Sequence, residues 1–187
     1  MEALVVKGDF RAKERASEAA LRVLGEETLR KSTMGCLYYP YWLFRTDLVA
    51  KAALGLCRRY EGVYLMVDGV TGFVGYCVRP DLLREEIEDG RAIKSSVSKD
   101  VASESAREYL KKTFPRMKKL AMIKDLQIEV SESIVIYKQF WLIQYGGEDV
   151  RRENGKKGGV WVLLDSVSGS TQFVTPSEMG IDVSSAK

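Results

Sequence analysis

At 187 residues the chain has room for one large domain or two small ones, and it can bury a sizeable core without disulfide or metal staples. Its 29 basic and 26 acidic residues leave a net charge of +3, too mild to demand a nucleic acid or an anionic membrane as partner. Histidine is absent, which removes the commonest general base and metal ligand and with it Ser–His and Cys–His activation, and no apolar run is long enough to span a bilayer.

Met1 to Gly8 is too short, and too soon interrupted by charge, to be a secretory signal, so a cytoplasmic location is expected. Cys36, Cys57 and Cys77 have no CxxC spacing and indicate neither a zinc site nor a disulfide framework. Asn154 is the only asparagine and glutamine is scarce, while Arg, Lys and Glu are abundant, as in thermophile proteins.

Asp9 is placed to cap a helix running to about Leu24, with Gly25 as its stop. Ala16, Ala20, Leu21 and Leu24 make its apolar stripe. Leu37 to Leu48 is rich in aromatic and β-branched residues and reads as a strand. Alternation puts Tyr39, Tyr41 and Leu43 on one face and Tyr38, Pro40, Trp42 and Phe44 on the other, so both faces need cover. That cover is core packing by the rest of the chain or by a second subunit, a homodimer. The functional reading is an aromatic platform for a protein or peptide, with Tyr39, Tyr41, Trp42 and Trp141 as its candidate residues. Pro40 cannot donate to a ladder and implies an edge strand or a bulge.

Tyr64 to Asp68 leads into the turn Asp68-Gly69-Val70-Thr71-Gly72 and out along Phe73 to Val78, which is hairpin chemistry. Pro80-Asp81 opens a short charged helix to Asp89 that Gly90 stops, and Arg91 to Lys99 is a connector. Ser98 or Asp100 caps a second helix through about Lys112, with Val101, Ala102, Ala106, Tyr109 and Leu110 facing inward and Pro115 ending or bending it. Lys111, Lys112, Arg116, Lys118 and Lys119, interleaved with Tyr109 and Phe114, have a composition seen in nucleic-acid-binding segments. Ile134 to Tyr145 is a further strand, and Trp161 to Asp165 turns through Ser166-Val167-Ser168-Gly169 and out to Val174. Between them, Arg151, Arg152, Lys156 and Lys157 form a second basic cluster, while Gly155 to Gly159 lacks the spacing of a phosphate loop. Asp68 and Asp165 could be imagined as paired catalytic carboxylates, but each precedes a turn glycine at the same distance and reads as a turn former.

Three blocks recur in order: Ala16 to Leu24 with Ala102 to Leu110, Tyr41 to Arg45 with Phe140 to Gln144, and Val63 to Gly72 with Val160 to Gly169. Trp42 precedes Asp68 by 26 residues and Trp141 precedes Asp165 by 24, as duplication would leave them. The expected fold is therefore α+β: two tandem repeats, each a helix packed on an antiparallel β-sheet. The expected divisions are 1–80, a connector helix and loop over 81–99, 100–175, and a flexible tail over 176–187.

The pattern of Tyr41-Trp42-Leu43 with Val67-Asp68-Gly69-Val70-Thr71-Gly72, and of Phe140-Trp141-Leu142 with Leu164-Asp165-Ser166-Val167-Ser168-Gly169, resembles the PepSY-like domains. The resemblance covers about half the chain and implies a small helix-on-sheet fold used for protein interaction or inhibition. Such domains usually lie outside the cytoplasm or beside a membrane anchor, a setting in which this sequence shows neither leader nor anchor. The expected function is a non-catalytic protein-binding or regulatory module that takes a protein or peptide partner and needs neither cofactor nor metal. A nucleic-acid-associated factor using segments 107–119 and 151–157 is the weaker alternative. An enzyme or small-ligand binder in a cleft between the repeats comes last.

Overall fold

A computed structural model describes residues 1–52, 56–88, 90–118, 123–145 and 160–174. The elements are β1 (Glu2–Val6), α1 (Lys13–Leu24), α2 (Glu26–Arg30), β2 (Thr33–Ala52), β3 (Cys57–Asp68), β4 (Val74–Cys77), β5 (Leu82–Glu86), α3 (Lys99–Met117), β6 (Ile123–Tyr145), β7 (Val160–Asp165) and β8 (Thr171–Val174). The strands form an eight-stranded sheet in the order β4-β3-β2-β6-β1-β5, with β7 joined to β6 and β8 to β7. It is mixed: β1 runs parallel to β6 through Val5 and Tyr137, while the hairpin pairs are antiparallel.

This overturns the expectation of two tandem helix-on-sheet repeats. Strand makes up 52% of the described residues and helix 24%, so one mixed sheet dominates the fold. The matched blocks do not each fold on themselves. α1, from the first set of blocks, packs on strands of the second set, and α3 packs on strands of the first. An amphipathic stripe specifies that a helix must be covered, not by which strands.

Two compact units result, each assembled from separated stretches of chain. One comprises Met1–Val5, Tyr39–Ile87 and Ala92–Tyr137; the other comprises Val6–Tyr38, Glu88–Arg91 and Lys138–Lys187. In the first unit, Ala102, Ala106, Leu110 and Phe114 follow one another at i+4 along α3 and bury against Phe44, Leu48, Leu65, Val67 and Val74. In the second, Ala16, Ala19 and Ala20 of α1 meet Trp141, Ile143, Val162 and Leu164. Small residues on α1 let its backbone approach the bulky indole.

Several local readings need correction. Asp9 does not cap α1, whose N-cap is Ala12 without a side-chain bond. The carbonyls of the preceding stretch are engaged outside a helix, because Trp141 Nε1 donates to Phe10 O at 2.8 Å and Gln139 Nε2 to Arg11 O at 3.1 Å. Gly25 does end α1, at φ 76°, its N–H bonded to Leu21 O. Ser98 caps α3, which continues to Met117 with Pro115 inside its last turn. Leu21 is 42% and Val101 57% exposed, so neither belongs to the buried stripe assigned to it.

The stretch from Asp81 contains β5, a strand, because pairing in the sheet overrides the helical bias of its charged residues. Pro40 lies in an interior strand, not at a sheet edge, one residue before the β2–β3 ladder begins at Tyr41 and Asp68. The irregularity in the β2–β3 ladder comes later and its extra residue lies in β3, where Glu61 and Gly62 together stand opposite Asp47. Gly62 takes φ 65° there and its N–H donates to Asp47 Oδ1 at 2.8 Å.

Candidate binding surface

Each unit is organised around a hairpin turn and the chain entering its helix. In the first unit, Asp68 Oδ1 accepts from the N–H groups of Val70 and Thr71, both at 2.8 Å, and Gly72 closes the turn with φ 75°. In the second, Asp165 Oδ1 accepts from Val167 and Ser168 at 2.8 and 3.3 Å, and Gly169 has φ 70°. Both aspartates are therefore turn formers, with the side chain replacing water at otherwise orphaned amides.

A residue just before the N-cap region of each helix then clamps its turn. Val97 donates its N–H to Gly69 O and accepts from Trp42 Nε1 at 2.9 Å. Phe10 donates its N–H to Ser166 O and accepts from Trp141 Nε1 at 2.8 Å. Their side chains cover the turn glycines, Val97 beside Gly72 and Phe10 against Gly169. In each unit the indole N–H of the Trp thus secures the chain entering the helix.

The predicted platform residues divide accordingly. Trp42 and Trp141 are structural anchors; Trp141 is only 8% exposed, and Trp42 packs beside the α3 core. Tyr39 and Tyr41 are half-buried, with ring centroids 5.3 Å apart, as their shared strand face requires. Tyr39 donates its hydroxyl to Asp68 Oδ1 at 2.9 Å. Burial, then the bond and charge of Asp68, push the Tyr39 phenol well above its ordinary range.

The basic candidates are distributed around the end of α3. Lys111, Lys112, Arg116 and Lys118 are exposed; Lys112 pairs with Glu108 at 3.3 Å, and Lys118 Nζ lies 5.8 Å from the Tyr60 ring centroid. Lys119, the 151–157 cluster and the 176–187 tail lie outside the described residues.

Sequence reading missed the most exposed apolar side chains among the described residues of the first unit. Phe73 and Val78, on either side of β4, are 77% and 88% exposed. In the second unit Phe173, within β8, is 59% exposed. The signal was available: each occurs in a hairpin return strand, but whether that strand has a further neighbour is a property of the sheet.

Among the described residues, no group of three or more His, Cys, Asp or Glu is placed to hold a metal ion. Cys36, Cys57 and Cys77 are free thiols, and burial raises that of Cys77 to about 11. No described helix is long and apolar enough to cross a membrane.

No family model, curated protein or solved structure matches the chain.

Proposed function

We propose that the chain is a non-catalytic protein-binding or regulatory module of PepSY-like type, working in the cytoplasm. The observation that carries this reading is the pair Phe73 and Val78, left 77% and 88% exposed beside a terminal strand of the sheet. Each stands at one end of β4, where a partner segment laid along that edge would cover both. Phe173 in β8 supplies a similar feature in the other unit. The turn clamps around Trp42 and Trp141 give each unit a fixed frame beside its helix entry, which supports a surface built for binding.

The test is site-specific photo-crosslinking in cells of the source organism, with benzoylphenylalanine at position 41, 73 or 173 and at exposed Arg22 as control. A discrete protein adduct at one of the three positions, absent at 22, is the expected result. Identical patterns at all four positions, or none, would reject the binding reading.

A further inference from the structure

We propose that the outer edge of β4 and the flank of α3 above it form a groove for an extended acidic peptide segment of a partner protein, bound by strand addition. This rests on the protein-binding reading above and assigns it a place and a ligand chemistry.

β4 ends the strand order, and among the described residues it pairs only with β3. Asp68 N donates to Phe73 O at 2.8 Å, which fixes the alternation of the antiparallel ladder. Phe73, Gly75 and Cys77 turn their backbone groups toward β3, so Val74 and Tyr76 turn theirs outward. Two N–H donors and two carbonyl acceptors are thereby presented to an incoming strand, with Phe73 and Val78 exposed at either end.

The helix provides the second wall. Tyr76 Oη and Thr113 Oγ1 are 2.8 Å apart, and the Tyr76 and Tyr109 rings are 5.3 Å apart. Tyr109, Thr113 and Arg116 follow at i, i+4 and i+7, so this ridge of α3 runs along β4 with Lys112 beside it. Arg116 is exposed and has no ion-pair partner among the described residues, Lys112 is shared with Glu108, and Arg79 follows Val78. A groove with outward amides and cations along its rim suits a chain alternating apolar and acidic side chains. The same charges disfavour a second copy, since two-fold pairing on β4 would match the cationic rim with itself and supply no acidic complement. A four-residue strand also offers little area for a stable dimer.

The experiment is to pan a phage-displayed library of random linear peptides on the immobilised full-length chain, then measure binding of the enriched peptides by fluorescence anisotropy. Enriched sequences should alternate apolar and acidic residues, lose affinity about tenfold or more on Arg116→Glu or Phe73→Asp, and fail when alternate backbone amides are methylated. Both substitutions are at exposed side chains, and unchanged circular dichroism and melting confirm that the fold is intact. Peptides lacking acidic residues, or insensitive to both substitutions, overturn the groove while leaving crosslinked partners at positions 41 or 173 to support the wider reading. Absence of enrichment overturns the groove as well. A doubled mass in analytical ultracentrifugation that Phe73→Asp abolishes gives the edge to a second copy and also overturns the proposal.

Discussion

Lys138 and Asp165 form an ion pair whose side chains are 23% and 16% exposed, whereas those of the pair Arg91 and Glu88 are 49% and 70% exposed. Tyr39 takes the equivalent place beside Asp68, so one turn is secured by an ammonium and the other by a neutral hydroxyl. Burial alone would raise the Asp165 carboxyl; the Lys138 bond and the amides of Val167 and Ser168 outweigh it and hold the carboxyl below its ordinary range.

The sign of the pH dependence follows. A folded-state pKa below the unfolded value of about 3.9 stabilises the fold above that pH, and the contribution is lost as pH falls through the folded value. Lys138→Met should lower stability near neutral pH by about 1–2 kcal/mol, reduced from the fully buried case by partial solvent screening. Denaturant titrations from neutral pH into the acid range should also show a shallower acid loss in the variant. An unchanged acid limb would mean that the pair does not set the titration.

At the neutral turn, Tyr39→Phe removes one hydroxyl bond and should cost about 1 kcal/mol in chemical denaturation. Because burial and Asp68 raise the Tyr39 phenol, the wild-type tyrosinate titration should contain a late component that the variant lacks. The bond's stabilisation is present below the unfolded pKa of about 10 and fades as pH rises through the folded value.

Gly69 and Gly8 offer a backbone test. A Cβ on Gly69 would meet Pro40 O at 2.8 Å, and one on Gly8 would clash with Ser166 O, both rigid backbone atoms. Gly69→Ala and Gly8→Ala should each cost about 1–3 kcal/mol, measured by thermal and denaturant unfolding. Gly75→Ala has open space at the new atom and should be tolerated within about 1 kcal/mol.

The turns were the most legible part of the sequence because their chemistry is local. Asp68 with Gly72 and Asp165 with Gly169 specify hairpins within a few residues, and the aromatic strands around Trp42 and Trp141 follow from composition. The ends of α1 and the nature of β5 were less so. Bonds from Trp141 and Gln139 delay α1 beyond Asp9, and sheet pairing turns the charged stretch after Asp81 into strand. The choice of helix partner was hidden. Ala102 and Ala106 fit against Phe44 and Leu65, yet nothing in their spacing distinguishes those strands from Ile143 and Val162. The candidate groove was hidden for the same reason, since an edge exists only once the strand order is fixed.

That exchange of helices is most directly tested through the two indole protons, in a nuclear Overhauser spectrum of the labelled full-length chain. The Trp42 Hε1 proton should show contacts to Val97 and Ser98, and the Trp141 Hε1 proton to Phe10 and Arg11. Contacts from Trp42 to Phe10 and from Trp141 to Val97 would instead place each helix on its own strands and contradict the account.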